Sequence, residues 1–544
     1  MKQIKDPIYG YVDVDDEYIQ LINTPEFQRL RNIVQTSYQA LYPSALHNRF
    51  VHSIGVFHLG KRAFSCFKSN VLKTFDDYKR RDWSNLEKTF LMACLLHDVG
   101  HSPFSHTGES FYKNDFKKEI SELLPDEDLK KDISAGTGKP HEAMSAIVGL
   151  RLLRKFNISQ SINEDLFIRS IIGVKYISEE RLLENIIIGM LNGSLIDVDK
   201  LDYLIRDGYV TGFSTMALDV DRLFAGYTIV DYVDPSASKH RVAAYKRGAL
   251  SVIENVTFAN DLERHWIQNH PAILYDAKLV DLTISNYNIF MKKKYSEVLI
   301  EKTVFTEKAL SYSGYLEQGV PLCLLSDDDI VSYLKNEIHN TKEVRELRQQ
   351  YFARDMRLKP LWKSESEFLQ LEQDLIGSGI RRSFKATLKA ISKTVFFMND
   401  DELKKANEQK RLMEDAEKND NEVLKEAIKT SLPAQNAIIQ TFQIFKNFIN
   451  EYDLNFEFAF IFVEHHYESN YSKLQNSDIY IEFASNRVIP LKDALTVTSV
   501  APNDDEKNGY YYLFSSKHNI DKMKAQGLEL GQEIMKYVSR NWRC

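Results

Sequence analysis

Seven of the chain's 14 histidines fall before residue 142: His47, His52, His58, His97, His101, His106 and His141. Imidazole is a common metal ligand and the side chain that titrates near neutrality, so this crowding points to metal or proton-transfer chemistry. The densest stretch is HDVGHSPFSH, which puts three histidines and an aspartate into residues 97–106. A His-Asp pair alone carries little weight, because about one is expected by chance at this histidine content. Adjacent His97 and Asp98 can chelate one ion only where local helix geometry lets both side chains converge. Taken alone, the segment also reads as a histidine-rich surface loop.

Helices must position these groups. KTFLMACLL (88–96) is apolar enough to be a buried helix and runs straight into His97-Asp98. TPEFQRLRNIVQ (24–35) offers Thr24 as an N-cap and Pro25 at the first helical position. On that helix Gln28, Arg31 and Gln35 would share a face at i, i+3, i+7. In LIDVDKLDYLIRD (195–207), Leu201, Leu204 and Ile205 form an apolar side. Lys200 and Asp207, seven residues apart, lie on nearly one face with Tyr203 between them. GTGKP (136–140) reads as a loop, and IVDYVDPSASKH (229–240) as a connection around a turn.

At 544 residues the chain should form two or three domains. Its 43% hydrophobic and 27% charged content is that of an ordinary globular protein. A net charge of −7 argues against a general nucleic-acid binder. The cysteines (Cys66, Cys94, Cys323, Cys544) show no CxxC spacing, which suggests neither a disulfide framework nor a thiolate zinc site. MKQIKDPIYG lacks the apolar core of a secretory signal, and the runs FLMACLL (90–96) and IIIGML (186–191) are too short to span a membrane. A soluble, cytoplasmic protein is expected. Residues 1–290 read mainly as helices. Residues 291–432 form a charged helical region, with 400–429 a solvated helix or helix pair. Residues 433–544 read as mixed α/β, with strands in NFEFAFIFVEHH, IYIEFA and YYYLF and a terminal helix from about residue 520.

Four motifs in order, HNRFVHSIGV (47–56), HDVGHSPFSH (97–106), His141-Glu142 and DVDKLDYLIRD (197–207), resemble those of the HD-domain dNTP triphosphohydrolases. That family takes in the mammalian SAM-and-HD-domain dNTPase and bacterial dGTPases. The opening KQIKDPIYGYVDVDDEYIQLINTPEFQRLRNIVQ is similar to its N-terminal segment almost phrase by phrase. The resemblance is dense over 1–213, thin over 214–290 and faint beyond. It implies a mainly α fold: an HD-domain helical core with an N-terminal effector segment, a helical insertion and a smaller mixed α/β C-terminal region.

The resemblance further implies His52, His97, Asp98 and Asp199 as ligands of one transition-metal ion. The N₂O₂ set suits Fe, Mn or Zn, and Mg²⁺ would enter with the substrate phosphates. The implied reaction splits a dNTP into deoxynucleoside and triphosphate. His101, His106, Glu109 and His141 are then the acid/base and phosphate-contacting groups, with His106 near the leaving oxygen and His141 paired with Glu109. Arg49 and Lys200 match phosphate-binding positions, Tyr203 and Asp207 sugar-binding ones, and Gln35 a contact to the 3′-hydroxyl. Lys2, Asn23, Gln28 and Arg31 match an effector-nucleotide site between subunits, which implies a homo-oligomer (dimer, tetramer or hexamer). Two departures stand out. WIQNHPA (266–272) puts Ile267 or Gln268 where the family has an aromatic beneath the sugar, and Asn23 replaces an acid that reads guanine. An HD phosphohydrolase acting on ribonucleotides or a signalling nucleotide is therefore the alternative. A third reading, a non-enzymatic nucleotide sensor or nucleic-acid-binding module, gives no reason for the intact ligand set beside further histidines.

Overall fold

The computed structural model describes residues 1–542 except 37, 113–114, 134–137, 214–217, 235–237, 337–340, 374–377, 393–395, 418–421, 465–476, 485–486 and 495–508. The chain is mainly helical with small sheets. It divides into two compact units. One comprises Met1–Ile267, Val280–Val344 and Glu468–Ser499, the other Gln268–Leu279, Arg345–Tyr467 and Val500–Cys544.

The first unit opens with an antiparallel hairpin of β1 (Lys2–Asp6) and β2 (Gly10–Val14). Asp6 closes its turn by accepting the N–H groups of Ile8 (2.8 Å) and Tyr9 (3.0 Å), and Gly10 takes the left-handed conformation that follows (φ 78°). Thr24 then caps the short helix Pro25–Gln28 by accepting the Phe27 N–H. A 3₁₀ turn, Arg29–Asn32, ends that helix, so Gln35 does not share a helical face with Gln28 and Arg31 as expected. The β-branched pair Ile33-Val34 goes extended instead. Val34 bridges to Asn48, and the Gln35 N–H donates to the His47 carbonyl (3.0 Å).

Four helices carry or lead into most of the chemistry-bearing residues of this unit, Arg49–Thr74, Trp83–Leu96, Pro140–Lys155 and Val198–Thr211, and the 3₁₀ helix Ser105–Phe111 carries His106 and Glu109. Three start on side-chain caps, with Asn48 accepting from Val51 N–H (3.2 Å), Asp82 from Asn85 N–H (3.0 Å) and Asp197 from Lys200 N–H (2.7 Å). Phe90–Leu96 is buried on every side, as an all-apolar run must be. Arg49–Thr74 packs on both Trp83–Leu96 and Val198–Thr211. At the second contact Gly55 is required: a Cβ there would lie 1.9 Å from Asp202 Oδ1. Residues 136–137 of the expected 136–140 loop lie outside the described residues, and helix Pro140–Lys155 begins at the proline.

The 229–240 connection is corrected: β3 (Tyr227–Val233) and β4 (Lys239–Lys246) pair antiparallel across it. Its alternating apolar residues have a face to cover, since Val230, Val242 and Ala244 are buried against Tyr232, Tyr480 and Val488. The last two come from far along the chain. β8 (Ile479–Glu482) pairs parallel with β4, and β9 (Val488–Pro490) completes the sheet.

In the second unit, β5 (Lys359–Pro360), β10 (Tyr510–Ser515), β7 (Phe458–Val463) and β6 (Phe397–Met398) form one antiparallel sheet in that order. Buried Trp362 donates its indole N–H to the Tyr511 carbonyl (2.8 Å). Most of the charged 400–429 stretch lies in helices Asp400–Glu417 and Glu422–Tyr452, which pack on each other. No helix among the described residues is long and apolar enough to cross a membrane.

Candidate metal centre and active site

His52 projects from the second turn of Arg49–Thr74, His97 caps the C-terminus of Trp83–Leu96 with Asp98 after it, and Asp199 lies in the first turn of Val198–Thr211. The structure brings ligand atoms of His52, His97 and Asp199 within 4.8 Å of one another. Asp98 borders them, its carboxylate 3.6 Å from His52 Nε2 and 3.4 Å from His97 Nε2.

The ring orientations follow from partners outside the cluster. His97 Nδ1 lies 2.9 Å from the Cys94 carbonyl, which can only accept, so Nδ1 carries the proton. His97 Nε2 is buried without a hydrogen-bond partner, 3.4 Å from Asp98 Oδ1 and 3.6 Å from Asp199 Oδ1, and these acids raise His97 against burial. His52 Nδ1 lies 2.8 Å from Asp202 Oδ2. Burial favours neutral Asp202, but Arg206 and His52 overcome it and hold the carboxyl down at about 2. His52 Nε2 is thereby aimed at Asp199 Oδ1, 2.9 Å away.

Two imidazole nitrogens and two carboxylates thus converge, with His52, His97 and Asp98 buried and Asp199 partly exposed, and a cation there would be held by all four. Burial opposes a charge on His52, yet Asp199, Asp202 and Asp98 raise it to about 9. Asp98 is held well below the usual carboxylate range against burial, chiefly by Arg49. The donor set therefore fits a divalent transition metal, and His52, His97, Asp98 and Asp199 would hold it.

Directly beside this centre, His101, His106, Glu109 and His141 form a second group. His101 and His141 stack with centroids 4.1 Å apart, and His106 lies 5.2 Å from each. Glu109 Oε1 accepts from His106 Nδ1 and lies 2.9 Å from His141 Nδ1. Burial raises Glu109, but these two histidines pull its carboxyl well below the usual range. Glu109 is thus an anion set between two imidazoles, while both ring nitrogens of His101 and Nδ1 of His141 are buried without a hydrogen-bond partner. His101 joins the groups, its Nε2 lying 3.4 Å from Asp98 Oδ1. Burial and nearby Arg49 push it well below the usual histidine range, so it is neutral. Arg49 spans both groups. Its guanidinium donates to Asp98 Oδ2 (2.8 Å) and Ser105 Oγ (2.9 Å) and lies 3.4 Å from His106 Nε2.

Lys200 is turned back. Its ammonium donates to Asp197 and to the Gly193 carbonyl (2.8 Å), and Asp197, with Asp199 and Glu142, keeps it charged against burial. Asn260 donates weakly to the Tyr203 hydroxyl (3.4 Å). Burial raises Asp207 to about 7, and His47 Nε2 lies 2.6 Å from its Oδ1. Gln35 is buried, its backbone carbonyl 3.4 Å from Arg49 Nη2. In the π-helical turn Glu263–Gln268, Ile267 is buried and Gln268 exposed.

Of the expected effector residues, Gln28 Oε1 accepts from Arg31 (2.8 Å), and the Arg31 guanidinium stacks on Phe50 at 3.6 Å. Lys2 lies exposed on β1, and exposed Asn23 ends the helix Asp16–Ile22. Sequence reasoning misses His47, Asp202, Arg206 and Ser105 as site residues. Asp202 and Arg206 carry one available signal: they are spaced i, i+4 on the helix that bears Asp199.

The helical unit thus brings His52, His97, Asp98 and Asp199 together beside His101, His106, Glu109 and His141. No family model matches the chain. It is 29% identical over 364 residues to an uncharacterised protein of Mycoplasma genitalium, covering 62% of this chain and 73% of that one. It is 33% identical over 233 residues to the deoxynucleoside triphosphate triphosphohydrolase SAMHD1 homolog of Dictyostelium discoideum. That match covers 42% of this chain and 40% of the relative, so the chain spans less than half of that protein's length. Among solved structures, a phosphohydrolase of Bacteroides thetaiotaomicron has the same fold, with a TM-score of 0.55, 18% identity, and coverage of 95% of this chain and all of that one.

Proposed function

We propose that this chain is a metal-dependent deoxynucleoside triphosphate triphosphohydrolase. One observation carries the reading: the metal-donor set and the His106–Glu109–His141 relay abut, with Arg49 bonded to Asp98 and reaching toward His106. The similarity to the Dictyostelium deoxynucleoside triphosphate triphosphohydrolase SAMHD1 homolog supports the same class. A bound transition metal would acidify water and polarise the α-phosphate. Arg49 is set to balance charge developing on the phosphate oxygens. As water adds to the α-phosphorus and the P–O5′ bond breaks, His106 delivers a proton to the departing 5′-oxygen, and Glu109 favours its charged form against burial, Arg49 and His141. The products are deoxynucleoside and triphosphate. Gln35, Tyr203 and Asp207 would read the sugar, and Lys200 would exchange Asp197 for the phosphate tail, with Mg²⁺ carried in on the phosphates. Residues 1–290 would serve as the catalytic core with its effector segment, 291–432 as a charged helical region and 433–544 as a mixed C-terminal region. Lys2, Asn23, Gln28 and Arg31 would bind an effector nucleotide between subunits of a homo-oligomer in the cytoplasm.

A second reading, hydrolysis of ribonucleotides, is favoured by WIQNHPA, which lacks an aromatic at the position that would bar a 2′-hydroxyl. The test is incubation with each NTP and dNTP, singly and in pairs, with Mn²⁺ or Mg²⁺, followed by chromatography. Intact triphosphate released from dNTPs alone is the expected result. Equal turnover of NTPs would favour the second reading, and pyrophosphate with a monophosphate would refute the triphosphohydrolase reading in favour of a pyrophosphatase.

A further inference from the structure

Asp327 stands far outside the histidine motifs, in the first turn of the helix Asp327–Lys335, and it is buried. Its two carboxylate oxygens accept backbone N–H groups from two separate segments of the candidate site. Oδ2 accepts from Val34 (2.9 Å) and Oδ1 from Phe104 (2.6 Å). Val34 precedes Gln35, and Phe104 precedes Ser105 and His106. Ser105 ties the same two segments directly, donating its hydroxyl to the Val34 carbonyl while accepting from Arg49 Nε. Buried Arg29 adds a parallel tie, donating to the carbonyls of Val99 (3.0 Å), His101 (2.7 Å) and Leu325 (2.7 Å).

The backbone explains why such ties are needed. Phe104 and Ser105 both hold left-handed φ angles, 55° and 54°. Residues with a Cβ adopt that conformation at a cost and keep it only where surrounding bonds impose it. A carboxylate is suited to the task because it only accepts. An amide would keep one acceptor and turn an NH₂ group toward the second N–H.

From this geometry we propose that Asp327 is a positioning residue. It fixes the segment bearing Gln35 against the segment bearing His106, and so sets the acid relative to the sugar. The inference rests on the reading of His106 as the acid. Asp327 acts through the backbone and performs no chemical step.

The experiment compares the full-length wild type, Asp327→Asn, His106→Ala and the double variant, all loaded with Mn²⁺. Hydrogen exchange of amides in 33–36 and 102–106, read without nucleotide, should accelerate at least about tenfold in Asp327→Asn, as expected when a bonded amide is released. Exchange within Arg49–Thr74 and the metal content should stay at wild-type levels. With dNTP, kcat should fall about 10- to 100-fold with KM little changed, the scale expected for a misplaced catalytic group. In the His106→Ala background the same substitution should cost less than about threefold, because the group it positions is gone. Unchanged exchange at both segments, or an equal loss of kcat with and without His106, would overturn the proposal. If the wild type turns over no nucleotide, the functional reading fails, and the exchange comparison alone decides the clamp. Should Asp327→Asn not fold, Asp327→Ser, which keeps one acceptor, takes its place in every measurement.

Discussion

Asp202→Asn should weaken metal binding although it removes no metal donor. In the native chain Asp202 is fully buried, with Oδ2 accepting from His52 Nδ1 (2.8 Å) and Arg206 Nε (2.9 Å) and Oδ1 accepting from Arg206 Nη2 (3.0 Å). Asparagine has one acceptor for these three donors. With its oxygen at the Oδ2 position, the amide NH₂ faces the Arg206 NH₂. With its oxygen at the Oδ1 position, the NH₂ faces His52 Nδ1 and drives the proton to Nε2, the nitrogen meant for the metal. Losing a charged partner of a metal-bound histidine typically costs 10- to 100-fold in affinity, about 1.4–2.7 kcal/mol. Breaking a buried ion pair costs about 3–5 kcal/mol of stability. The loss here should fall at the lower end, because Arg206 keeps its second partner, Asp6 Oδ2 at 3.0 Å. Chelator-competition titration gives the affinity and urea unfolding the stability. Metal affinity within twofold of wild type would refute the claim that Asp202 orients His52.

Gly55→Ala drives a methyl into Asp202 Oδ1 (1.9 Å) and Arg206 Nη2 (2.5 Å). It should cost about 1–3 kcal/mol of stability in urea unfolding, as overpacking does, and lower metal affinity with it. An unaffected variant would mean the helices do not approach there. Burial raises Asp327 to about 7 against the Val34 and Phe104 N–H groups and Arg29, with Asp328 adding to the rise. The folded state then binds more protons than the unfolded one between about pH 4 and 7, so this residue's contribution to stability is full below that window and declines as pH rises through it, giving way to the ionised carboxylate that accepts both N–H groups. Urea unfolding of Asp327→Asn should lack that decline, and an identical pH profile would count against it. For the effector, a carboxylate accepts from both guanine N1–H and the 2-amino group, whereas Asn23 brings a donor that would face them. A thymidine, uridine or adenine nucleotide should therefore activate better than GTP, and Asn23→Asp should shift preference toward guanine. Equal GTP activation of both forms would remove Asn23 from base reading.

Much that is local was legible in the residues themselves. Thr24-Pro25 announces a helix start, and the apolar run 88–96 announces a buried helix delivering His97 and Asp98, because caps and periodicity act within one or two turns. The ordered motifs likewise named His52, His97, Asp98 and Asp199, which the structure draws together from three helices. What spacing could not supply is whatever depends on two remote segments meeting. Nothing between residues 24 and 35 says that Val34 bridges Asn48 and so pulls Gln35 off the helical face of Gln28 and Arg31. The 229–240 segment read as a connection because the β4–β8 pairing that accompanies its strands joins residues more than 230 positions apart. The functional partners missed are of the same kind. Asp202 matters only because Gly55 lets two helices close on each other, and Asp327 only because its helix returns to the Val34 and Phe104 segments. Residue types and motif order were enough to mark candidate groups for the chemistry. Tertiary packing alone decided which nitrogen of each histidine faces the centre and which distant carboxylates hold the site in place, since burial and hydrogen bonds across the fold set both.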